Sequence, residues 1–181
     1  YSLFLDKKYM FYTCADFTKA DDTIEQAQWN KANHILNLID PKPSEKILDL
    51  GCGWGSMMKF IYEKTADKNN IIGWTIATEQ IKYIREVLGF NVENVNFCRT
   101  KFEEKAWDKI FSIESLEAVR ANELLGLAKN LRTAIKPGGR IVHQIITTSK
   151  EPYSPLFLWG MLNIFPGSEM TTVEKHLSVF E

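Results

Sequence analysis

The sequence has no long hydrophobic run. A membrane-spanning helix needs roughly 18 consecutive apolar residues, and the longest apolar stretch, 155–165, is broken by Gly160 and Asn163. Charge of one sign is lacking too, because 22 Lys and Arg stand against 23 Asp and Glu, for a net charge of -1. A near-neutral chain has no basic field to hold a phosphate backbone, so no nucleic acid partner is expected, and it has no strong basic patch for anionic lipids. Cysteine is scarce and odd in number, with Cys14, Cys52 and Cys98 widely spaced. That spacing suggests neither a disulfide framework nor a zinc site, no metal is expected, and a reducing, cytoplasmic setting fits. No repeat, low-complexity tract or charged-then-apolar leader is read.

What remains is an ordinary globular composition, 45% hydrophobic and 25% charged, over 181 residues. This suits one domain with a sizeable core. Asp22-Thr23-Ile24-Glu25 reads as a capping box for a helix whose apolar positions include Ile24, Ile35 and Leu38 and which ends before Pro41. Strands are expected at 46–50, 71–76, 95–98, 109–113 and 140–146, and helices at 56–66, 79–88 and 121–135. Lys136-Pro137-Gly138-Gly139 reads as a turn before the last strand. Strands alternating with helices predict an α/β, doubly wound, mostly parallel sheet with helices on both faces.

Ligands of such sheets bind at the carboxyl ends of the strands, and the first strand-to-helix turn usually helps to form the site. Here that turn is Asp49-Leu50-Gly51-Cys52-Gly53-Trp54-Gly55. A dinucleotide fingerprint would need its third glycine where Ser56 stands, and an acidic residue closing the second strand, where Gly73-Trp74-Thr75 stands. Both are missing, which weighs against an oxidoreductase. The G-x-G-x-G turn behind Asp49 resembles instead motif I of class I S-adenosylmethionine-dependent methyltransferases.

Further segments narrow the resemblance. Tyr12-Thr13-Cys14-Ala15-Asp16-Phe17 is similar to a Y-S-C-x-Y-F segment, Thr23 to Gln28 to T-L-E-x-A-Q, and Asp49 to Gly55 to D-I-G-C-G-W-G. Gly73-Trp74-Thr75-Ile76 with Glu79-Gln80 resembles a G-x-T-x-S-x-x-Q block, and Ile164-Phe165-Pro166-Gly167 matches I-F-P-G. In this order these are motifs of the cyclopropane fatty acid synthase family, including its mycolic acid relatives, and they run from about Tyr9 to about Val173.

The resemblance implies S-adenosylmethionine as cofactor, S-adenosylhomocysteine as product and an unsaturated acyl chain of a lipid as substrate. It places Tyr12, Thr13, Asp49, Gly51, Gly53, Thr75, Ile76 and Gln80 around the cofactor. It also implies a bicarbonate that serves as base, held at positions carried here by Cys14, Ile113, Glu117 and His143, which form the expected catalytic set. Cys14, Glu117 and His143 each have a structural alternative: a small buried thiol, a first-turn carboxylate favoured by the helix dipole, and a satisfied core histidine. His34 and His176 are expected to be structural.

Three departures qualify the match. The family's F-E-H reads Leu116-Glu117-Ala118, its Trp-Glu pair at the adenine would fall near Arg99 and Thr100, and Asp16 stands where an aromatic is common. Plant coclaurine-type N-methyltransferases use a Glu and His pair in the first of these segments, so Ala118 disfavours a small-amine substrate. A non-catalytic cofactor-binding relative is the third reading.

The expected organisation is a covering segment at 1–20 and a methyltransferase domain at 21–181. The aromatic-rich stretch 153–162 is expected to line a lipid channel, touch a membrane surface peripherally, or cover the sheet. Only about 35 residues follow the fifth strand. The expectation is therefore a piece of a longer protein, cut at both ends, with one sheet edge open.

Overall fold

The computed structural model describes residues 5–148, 154–164 and 171–180. Helix α1 (Ile24–Ile39) begins where Thr23 accepts a hydrogen bond from the Gln26 amide at 3.2 Å. The capping residue is thus Thr23, one position after the expected Asp22. Asp22 is committed to the preceding loop, where its carboxylate accepts from the Thr18 and Lys19 amides and the Asn30 side chain. The α1 face that packs inward carries Ala27, Ala32, Ile35, Leu36 and Ile39, whereas Ile24 and Leu38 stay exposed.

The chain continues through β1 (Ile47–Leu50), α2 (Ser56–Thr65), β2 (Ile71–Thr75) and α3 (Thr78–Tyr83), which runs on into a π-helical turn at Ile84–Leu88. Next come β3 (Asn91–Asn94), β4 (Trp107–Ile113), a 3-10 turn (Leu116–Ala118), α4 (Ala121–Ala134) and β5 (Ile135–Gln144). Helices α5 (Pro155–Ile164) and α6 (Val173–Phe180) follow. The five strands form one parallel sheet in the order β3-β2-β1-β4-β5. Doubly wound topology is therefore present, and its switch point lies between β1 and β4.

Alternation along β1 explains the two cores. Ile47 faces a cluster with Ile35 and Ile39 of α1 and Met58 and Ile61 of α2. Leu48 and Leu50 face the other side, with Leu124, Leu127 and Leu131 of α4.

Two strand assignments move. The third strand is 91–94, not 95–98, because it is an edge strand with Val92 as its one buried residue and so carries no apolar run. After it the chain turns, with the Arg99 amide donating to the Asn96 carbonyl. The fifth strand starts at Ile135, and the expected Lys-Pro-Gly-Gly turn is an irregularity inside it. Trp107 pairs with Ile135 and Lys109 already pairs with Arg140, so the intervening residues bulge out, with Gly138 at φ +79°. Among the described residues no strand pairs outside β5, which is the expected open edge. No helix among them is long and apolar enough to cross a membrane.

Candidate active site

The glycine turn closes at the carboxyl end of β1, where the Gly51 and Cys52 amides both donate to the Trp74 carbonyl of β2. Its two leading glycines have different reasons to be glycine. Gly51 has φ +76°, and a Cβ there would lie 2.5 Å from the Ser115 Cβ, so β4's outgoing chain packs directly on it. Ser115 secures that contact by donating its hydroxyl to the Leu50 carbonyl at 2.6 Å. Gly53, at φ +53°, would project a Cβ into open space. It borders a cavity of about 190 Å³ over the sheet's switch point.

That cavity is acidic and soft. Asp49 and Glu114 line it, together with Met10, Phe11, Tyr12 and Trp54, and no Lys, Arg or His among the described residues does. Asp49 is buried, and desolvation holds its carboxyl well above the usual carboxylate range. Helix α2 starts at Ser56 in the cavity wall, with no side-chain cap on its first turn. Thr75 donates its hydroxyl to Gln80 Oε1 at 2.7 Å, which joins β2's end to α3 on the far wall.

A second cavity, of about 320 Å³, lies between α1, β5 and the segment around Cys14. Its wall includes Lys31, His34, Leu38, His143 and Gln144. Lys31 is buried, donates to the Thr13 hydroxyl and sits 4.2 Å from the Phe11 ring centroid. Burial pushes its pKa down to about 8, against the nearby charges of Glu114, Cys14 and Asp6.

Glu114 connects the two cavities. The Cys14 amide donates to both of its carboxylate oxygens, at 3.0 and 3.1 Å, and Gln144 Nε2 donates to Oε1 at 2.7 Å. Its own amide donates to the Gln144 carbonyl. The residue adopts φ +49°, a conformation that L side chains rarely take and that is retained where surrounding contacts enforce it.

Of the residues expected around a cofactor, Tyr12, Thr13, Asp49, Gly51, Gly53, Thr75 and Gln80 line the first cavity, as does Ile113 from the catalytic set. Ile76 does not line it and is 66% exposed. Cys14 and His143 line the second cavity instead. The Cys14 thiol is held above its ordinary pKa by burial and by Glu114. His143 Nδ1 lies 2.7 Å from the Ser112 hydroxyl, and burial, with His176 nearby, lowers its pKa to about 4, so the ring is neutral at pH 7.

Glu117 lines neither cavity. One of its oxygens accepts from the Ile146 amide, and burial, with a contribution from Glu114, raises its pKa. Sequence reasoning missed Glu114 and Lys31. An acidic residue immediately after β4, beside the switch point, was the available signal for the first; nothing in the pattern marked the second. His34 is exposed on the second cavity's wall, and His176 is buried against Thr171. Residues 165–167 of the I-F-P-G motif and Tyr153 lie outside the described residues. Among the described residues no His, Cys, Asp or Glu group is arranged to hold a metal.

A family model described as mycolic acid cyclopropane synthetase matches residues 1–180. A probable fatty acid methyltransferase of Pseudomonas putida is 31% identical over 153 residues, which are 81% of this chain and 38% of that protein. The cyclopropane synthase MmaA2 of Mycobacterium tuberculosis superposes with a TM-score of 0.88 at 24% identity, over 99% of this chain and 67% of that one. The mycolic acid cyclopropane synthase CmaA1, solved with S-adenosylhomocysteine and a detergent, gives 0.86 at 24% identity, over 98% and 67%. At that identity the two structures establish the fold alone, and the chain spans well under half the length of the Pseudomonas relative. With the family model covering the chain from its first residue to 180, the chain belongs to the mycolic acid cyclopropane synthetase family.

Proposed function

We propose that the protein binds S-adenosylmethionine in the first cavity and transfers its methyl group to the double bond of an unsaturated lipid acyl chain. The observation that carries this reading is the cavity's charge. Two carboxyl groups, with no cation among the described lining residues, suit a ligand bearing a sulfonium and an ammonium, whose charge would favour the ionised form of buried Asp49, and would disfavour a pyrophosphate. Methionine, tyrosine and tryptophan side chains offer polarizable surface to the same cation. Asp49 would take the ammonium, and the uncapped start of α2 would take the carboxylate of the amino-acid end. Gly53 leaves room for the ligand where any side chain would intrude.

When bound, the cofactor supplies an electrophilic methyl group. The chain's own part is to align an alkene with it, to keep water from the cation that results, and to accept a proton. Thr13 and Tyr12 form the wall over the reacting end, which supports a covering role for residues 1–20. The second cavity, with Ile35, Leu38 and Val142, offers apolar surface for an acyl chain. Helix α5 leaves Leu156 and Trp159 exposed, which supports peripheral contact with a membrane surface.

Calorimetry with S-adenosylhomocysteine and with a nicotinamide dinucleotide tests the first half of the reading: binding of the former and none of the latter is expected, and the reverse would overturn it. Offering labelled cofactor with unsaturated phospholipid and small amines together tests the second half. Label in the phospholipid is expected. Label confined to amines would move the protein to N-methylation, and binding without transfer to a non-catalytic role.

A further inference from the structure

A bicarbonate does not fit this site. The amide of Cys14, one of the residues expected to hold it, is already shared by both oxygens of Glu114, and Gln144 donates to the same carboxylate. An added anion would also have to sit beside the carboxylate of Glu114 and near Glu117, whose pKa is raised mainly by burial, with a lesser contribution from Glu114. We infer that the carboxylate of Glu114 stands in place of the bound anion and is the proton acceptor of the reaction. The inference rests on the methyl-transfer reading above.

Three features support the assignment. Among the described residues Glu114 is the carboxylate that both lines the cofactor cavity and is hydrogen-bonded to residues of the second cavity, Cys14 and Gln144, so it lies where alkene and methyl donor would meet. Its carboxylate is fixed by donors from two separate segments, a hundred residues apart on one side and thirty on the other. Finally, the backbone accepts φ +49° at a residue with a Cβ, and strain of this kind clusters where a side chain must be aimed.

The step balances without another reactant. The alkene's π pair forms a bond to the methyl carbon while the carbon–sulfur bond breaks, its pair remaining on sulfur. One adjacent carbon is left cationic. Glu114 takes a proton from the transferred methyl, and the released C–H pair closes the three-membered ring onto the cation. The carboxylic acid formed then returns its proton to solvent.

The test uses Glu114→Gln and Glu114→Gly, the second suited to the left-handed backbone. With S-adenosylhomocysteine present, NMR of labelled bicarbonate should detect no binding to the parent and binding to Glu114→Gly. Both variants should retain affinity for S-adenosylhomocysteine, whose sulfur carries no charge for Glu114 to attract, within about threefold, while product formation falls at least about a hundredfold. Formate or bicarbonate should restore turnover to Glu114→Gly alone. Bicarbonate binding to the parent, or parent activity that disappears when carbon dioxide is excluded, would overturn the inference; so would unchanged turnover in Glu114→Gln. If the parent excludes bicarbonate yet modifies no acyl chain, the methyl-transfer reading fails while the replacement of the anion by Glu114 stands.

Discussion

Replacing Gly51 and Gly53 separately by alanine should separate packing from ligand space in the turn after β1. Both positions have positive φ, so each alanine carries a left-handed penalty of about 1–2 kcal/mol. At Gly51 the new Cβ would also lie 2.5 Å from the Ser115 Cβ. That overlap forces β4's outgoing chain to shift, and overpacking of this kind costs about 1–3 kcal/mol. Gly51→Ala should therefore lose about 2–5 kcal/mol and Gly53→Ala about 1–2 kcal/mol. Against a typical total of about 5–15 kcal/mol, the first is severe and the second tolerable. Urea unfolding should place the Gly51→Ala midpoint well below that of Gly53→Ala. Calorimetry should find that Gly53→Ala, although folded, binds S-adenosylhomocysteine at least about tenfold more weakly, since its Cβ occupies ligand space. Adding Ser115→Gly to Gly51→Ala should recover part of the loss, less about 1 kcal/mol for the hydrogen bond to Leu50. Equal midpoints for the two single variants would refute the claim that contact with Ser115 demands Gly51.

Asp49→Asn should stabilise the unliganded protein at pH 8. Burial raises the folded-state pKa of Asp49, so its ionisation destabilises the fold as pH climbs above about 4, the unfolded value. The advantage of asparagine should vanish below that pH, and its affinity for the cationic cofactor should fall; a variant matching the parent in both thermal stability and binding would contradict the cavity's charge logic. For His143 the shift is opposite in kind. Its folded pKa of about 4 lies below the unfolded value of about 6.5, so the unfolded state takes up protons first and stability falls as pH drops through that window. His143→Gln should flatten the decline, and an unchanged slope in urea midpoints between pH 7 and 4 would remove His143 as its source.

The doubly wound sheet and the ligand turn were legible because each rests on local pattern. Parallel strands such as Ile47–Leu50 and Ile71–Thr75 are buried throughout and mostly apolar, and a glycine turn directly after the first is a contiguous signal. Strand β3 was misplaced by a few residues because an edge strand with Val92 as its one buried residue has too little pattern to read. Thr23 was passed over for Asp22 because both are good caps, and the choice between them depended on Asn30, Thr18 and Lys19 gathering around Asp22. The role of Glu114 was only faintly signalled, for a deeper reason. Its backbone angle and its bonds to Cys14 and Gln144 arise only when three distant segments meet, and its neighbour Glu117 matched the familiar motif better. Ala118 in that motif was a visible sign that this corner of the site is arranged differently.

The most direct measurement uses S-adenosylmethionine with a fully deuterated methyl group, vesicles of unsaturated phospholipid and the protein, followed by mass analysis of the acyl chains. The account predicts that unsaturated chains gain one CD2 unit, the third deuterium having passed through Glu114 to solvent, with one S-adenosylhomocysteine released per chain modified. Acyl chains without deuterium, in a sample where the cofactor demonstrably binds, would contradict it.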